Sequence, residues 1–302
     1  MPITSNKKVK DTLFRKYFCE EQKENVLALY NALNNSNYTN IDDLTITTIE
    51  DVLYMRMKND LSFLIDGQFF LIEHQSTINP NMPIRALLYS SRFYETFIST
   101  NHLNIYSSTP LKFPAPNCIV LYNGNTEVSA VCTYTLSSLF EIEGLSQNFE
   151  WTVLAYNINP GKNEELLQRC KPLADYMTFV NLMKEYLRKG WDRTVAIRET
   201  IDQCIKQHVM SDFLVKHRSE VFDMCLTEYD EQATMESFKK EYLEQGEIKG
   251  RTEGKIEGKE EECIKNMRNL MKNGNYSFEE AAKLLGYTLD EVLPYKDKIL
   301  QS

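Results

Sequence analysis

Residues 59–77 read NDLSFLIDGQFFLIEHQST, and the reading of this stretch decides the fold. Two apolar runs flank Asp66-Gly67. Asp-Gly is the preferred two-residue hairpin turn, because both central positions of that turn need φ > 0. Both runs are apolar at almost every position. That pattern predicts strands buried on both faces, not the one-sided strands of a sandwich. With a two-residue turn, Ile65 pairs with Gln68, and the continued ladder sets Asp60 opposite Glu73 on the same face. Their Cβ atoms would lie about 4.5–5.5 Å apart. Like charges directly opposite are destabilising, and burial adds a desolvation cost. The simplest compensator is a divalent cation. Two carboxylates with waters and a substrate phosphate suit Mg²⁺, which dehydrates reluctantly. Gln75 projects to the same face as Glu73, two residues on, and its amide would orient an attacking water. His74 faces the other way and reads as a hydrogen-bonded structural group. His102, His208 and His217 have no metal-ligand spacing.

Outward from the hairpin, residues 8–34 carry apolar positions at helical spacing, from Leu13, Phe14, Tyr17 and Phe18 to Tyr30 and Leu33. The run Asn34-Asn35-Ser36-Asn37 ends this helix, since short amides compete for the backbone. Residues 44–58 begin β-branched and predict an extended entry segment. A helix is predicted over 82–100, with Pro83 in its first turn, where proline is tolerated. It carries Arg85, whose alternatives are a surface or helix-dipole role and a charge supplied to the carboxylate face. Strand-like runs follow at Cys118–Tyr122 and Trp151–Asn157, while 126–150 has no clear period. From 163 to about 242 the pattern is helical.

The chain of 302 residues has a formal net charge of −9, which argues against a surface coated for nucleic acid but leaves room for a local basic groove. No run of about 18 apolar residues occurs, so no membrane partner is expected. The N-terminal residues show no signal-peptide pattern. Seven scattered cysteines without a CxxC pair fit a reducing, cytoplasmic setting. Composition shifts near Glu241. GEIKGRTEGKIEGK (246–259) places glycine at every fourth position amid charge, giving either a flexible linker or a helix whose glycine stripe allows close self-association. Ser277 with Glu280 and Thr288 with Glu291 have capping-box spacing, predicting two short helices. Ala282, Gly286 and Thr288 have the core spacing of a helix-turn-helix. Pro294 interrupts the second helix too early for recognition, so a plain helical hairpin is expected. The expected divisions are 1–240, 241–262 and 263–302.

Several segments together resemble the Rpn family of recombination-promoting nucleases and transposase-like proteins, within the PD-(D/E)XK nuclease superfamily. They are KDTLFRKYF (10–18), KNDLSFLI (58–65), FLIEHQSTINPNMPIRALLYSSRFYE (70–95), IVLYNGN (119–125) and NYSFEEAAKLLGYTLDEV (275–292). The resemblance implies an α/β fold: a restriction-endonuclease-like core with a central mixed sheet flanked by helices, plus a helical C-terminal extension. It implies Mg²⁺-dependent DNA cleavage, with Asp60 and Glu73 as metal ligands and Gln75 in the superfamily's lysine position. Glutamine carries no positive charge, so Arg85 is the candidate to supply it. An acidic residue on the first helix also belongs to the superfamily pattern. Asp11 matches best by position, with Glu20 and Glu21 competing, and Asp11 alternatively only caps the helix. The other function class is a catalytically weakened nuclease fold used for binding or assembly.

Overall fold

The hairpin predicted at Asp66-Gly67 forms, and its register is the predicted one. Ile65 pairs with Gln68 and Leu61 with Ile72. Asp66 and Gly67 adopt φ of 50° and 67°, the left-handed pair that a two-residue turn requires. The computed structural model describes residues 13–47, 59–142 and 148–300. Gly67 has open space where a Cβ would stand, so only backbone strain opposes a side chain there. Gly67→Ala is therefore expected to lower stability by about 1–2 kcal/mol in urea unfolding, with no change in packing.

The chain divides into two compact units, 1–229 and 230–302. In the first, helices α1 (Leu13–Tyr17) and α2 (Lys23–Asn34) precede strands β1 (Thr45–Ile46), β2 (Leu61–Ile65) and β3 (Gln68–Gln75). Helix α3 (Met82–Thr100) leads to β4 (Ala115–Tyr122), β5 (Val131–Thr135) and β6 (Thr152–Asn157). Helices α4 (Glu164–Arg169), α5 (Lys171–Arg188), α6 (Arg193–Lys206) and α7 (Ser211–Lys216) follow, and α8 (Arg218–Gly274) begins. The six strands form one mixed sheet in the order β1-β2-β3-β4-β6-β5. The β2–β3 pair is antiparallel and β3–β4 parallel, with α3 as the crossover.

Both sheet faces are covered, as the unbroken apolar runs predict. Phe63, Ile65, Phe70 and Ile72 pack with Tyr30 of α2 and Tyr176 and Phe179 of α5. Phe69 and Leu71 point the other way, into a second core with Ala86, Tyr89 and Phe93 of α3.

Two segments add to or differ from the reading of sequence alone, and a third is described only in part. The helix predicted over 8–34 is broken, within its described part, by an extended Cys19 (φ −138°, ψ −175°) and a 3₁₀ turn at Glu20–Gln22. The Asn25 amide donates to the Tyr17 carbonyl, satisfying an acceptor that the break exposes. The apolar stripe continues through this bend, so periodicity does not reveal it. The unplaced stretch 126–150 holds edge strand β5 and a 3₁₀ turn at Leu136–Leu139. Of the extended entry segment, β1 is described, and 48–58 lies outside the described residues.

The second unit centres on the later part of α8, with α9 (Phe278–Leu285), α10 (Leu289–Val292) and α11 (Lys296–Leu300). Of linker and helix, 241–262 is helix. Gly246, Gly250, Gly254 and Gly258 have open space around them. Met267, Phe278, Ala281, Ala282 and Val292 form a small core of their own. Both capping boxes are present. A 3₁₀ turn at Leu293–Tyr295 follows the four-residue α10, giving the hairpin and not a recognition helix. No helix of the described residues is long and apolar enough to cross a membrane.

Candidate functional site

Asp60 stands one residue before β2, and Glu73 and Gln75 are among the last three residues of β3. The predicted ladder is continued by side chain: Asp60 Oδ2 accepts from the His74 backbone N–H at 2.8 Å. Leu64 and Leu71 pack into the α3-side core, and strand alternation puts Asp60 and Glu73 on that same face. Helix α3 follows β3 closely and lies over it. Arg85, from the first turn of α3, donates from Nη2 to Glu73 Oε2 at 2.9 Å. Its guanidinium also lies over the Tyr89 ring, 5.9 Å from the centroid.

Glu73 is 5 % exposed. Its second oxygen, Oε1, is buried and has no hydrogen-bond partner. Burial pushes the Glu73 carboxyl up, and the Asp60 charge pushes it further, while Arg85 and the Asp60 backbone N–H pull it down. Asp60 is also pushed up by burial, against the pull of the His74 N–H, Arg15 and Arg85. Two carboxylates thus share a desolvated place, with an arginine from α1 and another from α3 offsetting their field.

Gln75 is on the expected face, but its amide Nε2 is directed at Met82 Sδ, 2.8 Å away. Arg85 Nη1 lies 3.4 Å from the same sulfur. The predicted role of holding a water is therefore in competition with a protein contact. His74 points to the opposite core, as expected, but its buried Nε2 has no hydrogen-bond partner, so it is held by ring packing and not by the expected side-chain hydrogen bond. Its ring stacks on Phe14 at 5.0 Å and meets Tyr176 edge-on at 5.3 Å. Burial, with the nearby Lys184 charge, pulls its pKa down to about 3, so it is a neutral packing group that ties α1 to the end of β3.

The strand end is held from its other neighbour too. Asn123 N–H donates to the Gln75 carbonyl at 3.0 Å, and Lys184 Nζ donates to the Asn123 carbonyl at 2.7 Å. Gly124 follows, and a Cβ there would collide with the Ser76 carbonyl and the Tyr122 ring. The tight Asn-Gly step after β4 is thus a condition for closing this loop on β3.

Asp11 lies outside the described residues. Its competitors are engaged elsewhere: Glu20 pairs with Lys23 at 2.8 Å, and Glu21 accepts from Cys19 Sγ at 2.9 Å. Sequence reasoning missed Arg15, Met82 and Tyr89. For Arg15 the available signal was its place beside Phe14 in the apolar α1 stripe, and for Met82 and Tyr89 their helical spacing from Arg85.

The donor set fits a hard cation in part. The orphaned Glu73 Oε1 and the Asp60 carboxylate are oxygen ligands of the right chemistry, while Arg85 holds Oε2. Among the described residues no group of three or more His, Cys, Asp or Glu side chains gathers for a metal. No protein-family model, curated protein or solved structure matches the chain.

Proposed function

We propose that the protein is a Mg²⁺-dependent DNA endonuclease with a PD-(D/E)XK-type core, acting on phosphodiester bonds in recombination. The observation that carries this reading is the Asp60–Glu73 carboxylate pair on one sheet face, with Glu73 Oε1 buried and unpartnered. Asp60 extends the hairpin and Glu73 pairs with Arg85, but two repelling carboxylates in a dry place cost stability that a bound cation would recover. Asp60 and Glu73 would hold the cation. A bound Mg²⁺ would lower the pKa of its water and neutralise charge that develops on the phosphate. Arg85, at the rim of the same face, would bind a phosphate oxygen, since a guanidinium matches phosphate as well as carboxylate. Gln75 would turn its amide from Met82 to the attacking water. Self-association through the glycine-bearing part of α8 belongs to the same proposal, supported by the open surface at Gly246 to Gly258.

A second reading has its own support. The Glu73–Arg85 ion pair and the Gln75–Met82 contact close the site without any metal, as a nuclease fold retired to binding or assembly would.

Relaxation of supercoiled plasmid with millimolar Mg²⁺ separates them. Cleavage by the wild type and none by Asp60→Asn is the expected result. Equal cleavage by both would mark the activity as contamination. DNA binding without cleavage by either would favour the second reading.

A further inference from the structure

The Glu73–Arg85 pair is asymmetric. The Glu73 side chain is 6 % exposed and that of Arg85 18 %, so the guanidinium is the outer partner. It makes a single ion-pair contact, from Nη2 to Oε2. Its Nε is buried without a hydrogen-bond partner, Nη1 lies against the Met82 sulfur, and the Tyr89 hydroxyl is a further polar neighbour of the guanidinium. A planar guanidinium offers five N–H donors in a fork, and here one of them meets a carboxylate. Its fork is therefore poorly used in this position. Glu73 is likewise half used, with Oε1 bare. Neither partner is in its best environment, and each has a better one of known chemistry: a phosphodiester for Arg85, a divalent cation for Glu73.

We propose that Arg85 is a built-in stand-in cation, which occupies Glu73 until a DNA phosphodiester draws it off, so that the phosphodiester and the divalent cation bind cooperatively. The inference rests on the metal-site reading above. A divalent cation entering the closed site meets the guanidinium charge at the same carboxylate, and like charges at that range oppose binding. A phosphodiester on Arg85 removes both the contact and much of the field. Because linkage is reciprocal, cation binding must tighten DNA binding by the same factor. The exchange also guards the site. Free cation binds weakly and is held when substrate is present.

Calorimetric titration of the full chain with Ca²⁺ tests this without turnover, using wild type, Arg85→Gln, Arg85→Lys and Glu73→Gln, each with and without a short DNA duplex. Glu73→Gln sets the background from cations on the duplex itself. Without duplex, Arg85→Gln is expected to bind Ca²⁺ about tenfold more tightly than wild type, within the usual range of coupling between sites. Arg85→Lys keeps the charge and is expected to stay weak. Duplex should tighten Ca²⁺ binding to wild type by a similar factor and leave Arg85→Gln unchanged. Equal Ca²⁺ affinity in wild type and Arg85→Gln would overturn the stand-in role while leaving the metal site intact. Absence of Ca²⁺ binding above background in every variant would overturn both. If Arg85→Gln does not fold, the wild-type duplex linkage decides alone, and its absence overturns the proposal.

Discussion

Asp60→Asn is expected to make the protein more stable at pH 7 and at the same time to abolish cleavage. The asparagine Oδ1 still accepts from the His74 N–H, so the 2.8 Å contact that extends the hairpin survives. What disappears is a buried negative charge facing Glu73. Both carboxyls are raised in the folded state, first by burial and, for Glu73, also by Asp60. A carboxyl with a raised folded-state pKa holds its proton longer in the native than in the unfolded chain, so stability falls as pH rises from the ordinary carboxylate range, near about 4, towards the raised value. At neutral pH the buried Asp60 charge beside Glu73 therefore subtracts from stability. Removing Asp60's charge should recover roughly 1–2 kcal/mol, the lower part of the range for replaced buried ion clusters. The gain should shrink towards pH 4.5, where the wild-type carboxyls are protonated. Urea unfolding at the two pH values reads it directly, and a loss of stability at pH 7 would show that Arg15 and Arg85 more than offset the repulsion. Glu73→Gln should gain less, because it strips Arg85 of its counter-ion. Cleavage should fall in Asp60→Asn by about a hundredfold or more, since a metal ligand supplies several kcal/mol of transition-state stabilisation.

Phe70→Ala is expected to cost about 3–5 kcal/mol, a large share of the roughly 5–15 kcal/mol that holds a domain together. Phe70 is 1 % exposed. It stacks on its ladder partner Phe63 at 5.0 Å with the rings 6° from parallel. Tyr30 of α2 meets it edge-on at 5.5 Å. Truncation would leave a cavity between the sheet and α2 that rigid strand neighbours cannot fill, and it would remove two aromatic pairs, each adding about 0.5–1.5 kcal/mol beyond burial. Chemical denaturation followed by far-UV circular dichroism measures the loss. A cost under about 1 kcal/mol would mean that α2 shifts to close the gap.

The hairpin, its register and the shared face of Asp60, Glu73 and Gln75 were legible because they depend on local rules: a turn dipeptide with left-handed backbone and a period of two. The capping boxes at Ser277 and Thr288 were legible for the same reason. Edge strand β5 was not. Its five residues are all exposed or only half-buried, with just Cys132 and Tyr134 turned to the core, so the period of two is too short and too weak to mark it. The break at Cys19 was hidden because Phe18 and Val26 both reach the core from either side of a bend. At the site, the residue types were legible and their partners were not. That Arg85 brings its charge to the carboxylate face was one of two alternatives open in the sequence, whereas the contact of Gln75 with Met82 and the place of Arg15 near Asp60 follow from how α3 and α1 pack, which sequence spacing does not encode.

The near locality of the carboxylate pair also says something about the order of assembly. Asp60 and Glu73 are joined by a hairpin, an element that closes in about 1–10 μs. The parallel β3–β4 pairing must wait for the whole α3 crossover, and long closures come later. The two charges therefore meet while still hydrated, at little cost. Dehydration is imposed afterwards, when α3 docks, and α3 carries Arg85 with it. The element that expels the water delivers the neutralising charge in the same step. Arg85→Gln should accordingly speed unfolding and leave the refolding rate almost unchanged in stopped-flow measurements, whereas slowed refolding would place α3 in the nucleus.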